Sequence, residues 1–154
     1  METNQWKRGN VHIGKPIRVV VVDDSAADLD ALCSFLRTLN RIEIVGTAKN
    51  GIELVKIVKA LRPDLVITDL HLPRMSGIEC TLRLRQTMPE TRFIVFTDLN
   101  SPFTEADCAN PGADFYLYKE HMPERVVAAI HRLFPDLGQH HPDPDINCGE
   151  GIAC

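Results

Sequence analysis

The feature that most constrains this chain is an alternation. Five short apolar runs (Ile17 to Val22, Ile42 to Ala48, Leu65 to Ile67, Arg92 to Thr97, Phe115 to Tyr118) are separated by stretches whose apolar residues recur at helical spacing. The first run is nearly all β-branched, as expected of a central parallel strand covered on both faces. Gly46 in the second marks a bend or a close approach. Leu29, Leu32, Cys33, Leu36 and Leu39 form the inward stripe of a first helix, and Leu54, Val55, Val58 and Leu61 that of a second, which Pro63 ends. A third helix is expected over Ile78 to Met88, closed by Pro89. A weakly patterned one follows over 102–110, with Phe103 and Ala106 as its inward positions and Pro111-Gly112 breaking it. The last, over 122–134, carries Val126, Val127, Ile130, Leu133 and Phe134. Strands and helices alternating through short connections predict an α/β fold, a parallel sheet with right-handed crossovers and helices on both faces.

A chain of 154 residues suffices for one domain with one substantial core. The folded unit is expected over 17–134. Residues 1–16, aperiodic and containing Gly9, Gly14 and Pro16, are expected to be a poorly ordered leader. Residues 135–154, rich in Pro, His, Asp and Gly, are expected to be a disordered tail. A net charge of −4 without a Lys/Arg cluster argues against a nucleic-acid-binding surface. No apolar stretch approaches the ~20 residues that span a bilayer. The N-terminus lacks the apolar core of a signal peptide, so cytoplasmic residence is expected. Cys33, Cys80 and Cys108 fall inside expected helices without a CxxC and read as small hydrophobes or inert thiols. His140, His141, Cys148 and Cys154 match no zinc spacing.

The ends of the strands carry the chemistry. Asp23 and Asp24 follow the first run, Asp69 ends the third before Pro73 and Gly77, Thr97 ends the fourth, and Lys119 follows the fifth. In an alternating α/β chain, ligands gather outside the carboxyl ends of the strands. Carboxylates crowded on one rim repel one another unless a cation is bound, and oxygen ligands with room for water suit Mg²⁺. Lys119 adds a positive charge and Thr97 a hydroxyl donor. Such a set suits a dianionic group beside Asp69, and attack by a carboxylate on phosphorus gives an aspartyl phosphate. Taken singly, Asp23, Asp24 or Ser25 could be helix caps, Thr97 a strand-end residue and Lys119 a solvated charge. Their joint placement at the strand ends favours a site.

The motifs Val-Val-Asp23-Asp24-Ser, Asp69-Leu-His-Leu-Pro73-Arg-Met-Ser-Gly77, Phe-Thr97 and Gly112-Ala-Asp-Phe-Tyr116-Leu-Tyr-Lys119 occur in that order. In them the chain resembles the receiver domains of two-component response regulators, of the stand-alone, chemotaxis-regulator-like type, from about Ile17 to Phe134. The resemblance implies a flavodoxin-like, doubly wound (βα)5 fold, its five parallel strands in the order 2-1-3-4-5. It implies that Asp69 is the phosphoacceptor, and that Asp23, Asp24, Asp69 and the backbone carbonyl of His71 hold Mg²⁺. Thr97 and Lys119 would contact the phosphoryl group, and Tyr116 would be the aromatic switch that moves with Thr97. The donor would be a sensor histidine kinase or a histidine phosphotransfer protein. Output would pass to a downstream protein, with no direct nucleic acid or membrane contact, from a monomer or weak dimer. The chain would be a signalling switch rather than an enzyme, although it takes part in its own phosphotransfer and dephosphorylation.

Departures from the family's pattern carry their own expectations. Glu120 replaces the proline that usually follows the lysine, so a trans bond and an altered loop are expected. Asp98 stands where a small residue is usual; it either slows phosphoryl arrival or loss, or points outward from a loop. His71 reads as a solvated loop histidine. A degenerate receiver serving as an interaction module is the alternative, kept open by Asp98 and Glu120. A haloacid-dehalogenase-type enzyme would need a second Asp where His71 stands.

Overall fold

The computed structural model describes residues 14–98 and 112–137. The leader up to residue 13, the expected helix over 102–110 with Phe103, Ala106 and Cys108, and the tail from residue 138 with its histidines and cysteines lie outside the described residues. Strands β1 (Ile17–Val22), β2 (Ile42–Ala48), β3 (Leu65–Asp69), β4 (Arg92–Thr97) and β5 (Phe115–Tyr118) form one sheet in the order β2-β1-β3-β4-β5. All of its pairings are parallel. The described helices are α1 (Ala26–Arg37), α2 (Gly51–Leu61), α3 (Gly77–Thr87) and α4 (Met122–Leu133). The strand order is the one the resemblance implies, and the strands match the expected apolar runs, β3 continuing two residues past Ile67 to Asp69.

The period of two along each strand sorts the apolar residues into two layers. Ile17, Val19, Val21, Leu65, Ile67, Ile94, Phe96 and Leu117 meet Leu29, Leu32, Leu36, Val126 and Ile130 from α1 and α4. Val20, Val22, Val66 and Phe93 meet Leu54 and Val58 of α2 and Cys80 and Leu84 of α3. Full burial of each such side chain is worth about 1.5–3 kcal/mol, and covering β1 and β3 on both faces requires helices on both sides. Cys33 and Cys80 are buried free thiols within these layers. Burial pushes the Cys33 thiol up, and the Cys80 thiol up to about 12, which keeps both protonated and inert at neutral pH.

Ser25, Asn50 and Ser76 cap α1, α2 and α3, accepting from the backbone N–H of Asp28, Glu53 and Glu79 at 3.3, 2.9 and 3.2 Å. Each such cap is worth ~1 kcal/mol. At Gly46 the register of β1 against β2 slips by one residue, since Ile44 pairs with Val19 and Gly46 with Val20. A Cβ on Gly46 would lie 2.5 Å from Ile57 Cδ1, so α2 packs on bare backbone there. At the far end, residues Pro135–Leu137, expected within the tail, form a short 3-10 turn. Leu137 packs against the α1/α4 layer, and the Asp136 carbonyl accepts from Arg41 at 3.1 Å. Among the described residues no helix is long and apolar enough to cross a membrane.

Candidate functional site

The strand order reverses between β1 and β3, since β1 leads outward to β2 on one side and the sheet continues through β3 on the other. Such a reversal opens a crevice at the carboxyl ends. Asp23 lies one residue beyond β1, Asp69 ends β3 and Lys119 lies one residue beyond β5. All three continue the alternation of the α1/α4 layer: Val19, Val21, Asp23; Leu65, Ile67, Asp69; Phe115, Leu117, Lys119. Thr97 continues the other series, after Phe93 and Val95.

Lys119 Nζ donates to Asp69 Oδ2 at 2.8 Å and to Asp23 Oδ2 at 3.1 Å. It also donates to Asp28 Oδ2 at 3.4 Å, a contact that no sequence motif singled out. The second oxygen of each buried carboxylate is held by the main chain. His71 N–H donates to Asp69 Oδ1 and Ser25 N–H to Asp23 Oδ1, each at 2.9 Å. Gly77 brings α3 against this loop. Its N–H donates to the Leu70 carbonyl at 2.9 Å, and a Cβ there would collide with the Asp69 carbonyl oxygen.

Asp23, Asp24 and Asp69 each offer a carboxylate oxygen within 4.8 Å of the others. Asp23 and Asp69 are buried and Asp24 is exposed, so the cluster opens to solvent on one side. Oxygen donors alone, with access for water, fit a hard divalent cation such as Mg²⁺. The electrostatics of the site carry the strain of that crowding. Burial pushes the Asp23 carboxyl above its ordinary value; the Ser25 N–H and Lys119 pull it back, and the charge of Asp69 pushes it further up. Burial would lower Lys119, but its hydrogen bonds to Asp69 and Asp23 outweigh that and hold the ammonium above its ordinary value. Lys119 is charged at any physiological pH.

Thr97 and Tyr116 lie on the same sheet face, because Tyr116 pairs with Val95, two residues before Thr97. Thr97 is buried, and its hydroxyl lies 3.5 Å from the Asp98 carbonyl. The buried Tyr116 ring packs with Leu70 and Val95, and against Ile78 and Ala113. The Asp98 side chain is exposed, which agrees with an outward orientation, and His71 is also exposed. Every described peptide bond is trans, Lys119–Glu120 included. The altered loop is a 3-10 turn, Lys119–His121, that runs directly into α4.

The family model of the response regulator receiver domain matches residues 19–131, and this chain belongs to that family, a component of two-component signalling. It is 31% identical over 116 residues to the chemotaxis protein CheY of Thermotoga maritima, covering 75% of this chain and 96% of that one. It is 32% identical over 111 residues to the uncharacterized transcriptional regulatory protein YhcZ of Bacillus subtilis, covering 72% of this chain. The chain spans about half the length of that relative, 52%. Among solved structures, one chain of the CheX-CheY-BeF3-Mg²⁺ complex from Borrelia burgdorferi superposes with a TM-score of 0.71 at 27% identity, covering 81% of this chain and 94% of that one.

Proposed function

We propose that this receiver is a phosphoacceptor switch. Asp69 takes a phosphoryl group from a sensor histidine kinase or a histidine phosphotransfer protein in a Mg²⁺-dependent reaction, and a downstream protein reads the change. The observation that carries this reading is the Lys119 ammonium donating to Asp69 and Asp23 at once, beside a cluster of three carboxylates.

With phosphohistidine as donor, an Asp69 carboxylate oxygen forms the new bond to phosphorus. The phosphorus–nitrogen bond breaks, and its electron pair leaves with the imidazole nitrogen. His71 N–H and Lys119 fix the plane of the Asp69 carboxylate before attack, which lowers the entropic cost of aligning it. Lys119 then meets the negative charge that spreads over the phosphoryl oxygens. Asp23, Asp24, Asp69 and the main-chain carbonyl of His71 would hold Mg²⁺, which when bound neutralises further charge on those oxygens. Thr97 donates its hydroxyl to the new acceptor oxygens, and the space it leaves admits a rotation of the Tyr116 ring beside it. Residues 17–134 are the receiver unit, and its output is a changed protein-binding face. The superposition on a chain of the CheX-CheY-BeF3-Mg²⁺ complex supports the reading.

Incubation with acetyl phosphate and Mg²⁺, followed by intact mass, tests it. The expected result is one added phosphoryl group, lost on omission of Mg²⁺ and absent from Asp69→Ala. Folded, Mg²⁺-binding protein that gains no mass contradicts it and favours a phosphorylation-independent interaction module.

A further inference from the structure

An ammonium has three N–H donors, and the structure gives Lys119 three carboxylates: Asp69 at 2.8 Å, Asp23 at 3.1 Å and Asp28 at 3.4 Å. The third partner differs from the others. Asp28 stands in the first turn of α1, and its side chain is 56% exposed, against 4% for Asp23 and 7% for Asp69. Asp28 and Lys119 also line a cavity of about 210 Å³ between α1 and α4, together with Leu32, Phe35, Met122 and Pro123.

A lysine whose donors are all engaged accepts a new anion only by releasing an old one. Asp69 is the reacting group, and Asp23 is buried and tied to the Ser25 N–H. The Asp28 contact is the longest and most solvated, hence the weakest and the first to go. We propose that Asp28 is a positioning residue for Lys119, occupying the third donor of the ammonium in the resting protein and yielding it to the incoming phosphoryl oxygen. The proposal rests on the phosphoacceptor reading of Asp69 and adds a sign to it. A contact present in the resting state and absent from the phosphoryl-bound state opposes binding, so its removal strengthens binding. The Asp28 side chain is 56% exposed, so solvent screens its charge beyond direct contact, and the contact with Lys119 carries the effect. An Asp28 that served only as a favourable acid at a helix N-terminus would act differently. Its loss would lower the melting temperature and leave phosphoryl affinity unchanged.

The test is a titration of beryllofluoride, a phosphoryl mimic, in the presence of Mg²⁺, followed by amide NMR shifts. The proteins compared are the parent, Asp28→Ala, Asp28→Asn, Asp28→Glu and Asp69→Ala. Asp28→Ala and Asp28→Asn are expected to bind about 2- to 5-fold more tightly, the scale of one exposed ion pair. Asp28→Glu, which restores an anion that reaches Lys119, is expected to return to the parent's affinity. The isosteric Asp28→Asn keeps the test decisive should the alanine variant fold poorly. Parent binding that depends on Asp69, with equal or weaker binding by both neutral variants, overturns the Asp28 proposal alone. Parent binding that is absent, or unchanged in Asp69→Ala, overturns the phosphoacceptor reading and the Asp28 proposal with it.

Discussion

Asp23 sits in the site as a cost. Its carboxyl is raised by burial and by the charge of Asp69, so the folded chain holds the ionised form less favourably than the unfolded chain does. Between the two pKa values the native state binds more protons, and stability rises as pH falls through the folded value. Above it, the ionised carboxylate is a fixed penalty. Asp23→Asn keeps one acceptor oxygen, for the Ser25 N–H, and removes the charge together with the oxygen that accepts from Lys119. It is expected to raise the thermal midpoint of the metal-free protein at pH 7 and to abolish Mg²⁺ binding. The midpoint difference should vanish at acid pH, where the parent's carboxyl is protonated; thermal unfolding at two pH values measures both. Asp23, Asp69 and Lys119 were legible in the sequence because each follows an apolar run. Asp28 was not, because its tie to Lys119 spans 91 residues and depends on where the turn after β5 places the lysine.

The loop that follows Asp69 is held by α3 and α2. Gly77 lies against the Asp69 carbonyl and Gly51 against that of Met75, so neither position has room for a Cβ. Gly77→Ala is expected to cost about 1–3 kcal/mol, as overpacking does, and to slow labelling of Asp69 by more than the lost stability explains. Urea unfolding beside acetyl phosphate kinetics separates the two. A second clamp fixes the entry to β5. Asp114 accepts from Phe93 N–H at 2.7 Å and from Arg85 at 2.8 Å, and Arg92 lies at 3.4 Å. Asp114→Ala leaves the Phe93 N–H without that acceptor and is expected to cost about 1–3 kcal/mol in urea unfolding. The strand limits were legible because β-branched runs broken by Gly and Pro leave little choice. These clamps were not, since they join residues on different elements and show no local period.

Across the molecule, the proposed function links cation, fold and phosphoryl group. A cation that binds only the folded chain stabilises it, by about 2.7 kcal/mol at a free concentration one hundred times its dissociation constant. Mg²⁺ is therefore expected to raise the thermal midpoint of the parent and to leave that of Asp24→Ala unmoved. Asp24 is exposed, so its loss should not itself unfold the protein. One carboxylate, Asp69, is expected to become an acyl phosphate. Borohydride reduces an acyl phosphate of aspartate to homoserine, which marks the modified position in a peptide mass map. After treatment with acetyl phosphate and Mg²⁺, homoserine at position 69 alone is the predicted result. Homoserine at Asp23, Asp24 or elsewhere, or at no position in folded, Mg²⁺-binding protein, would contradict it.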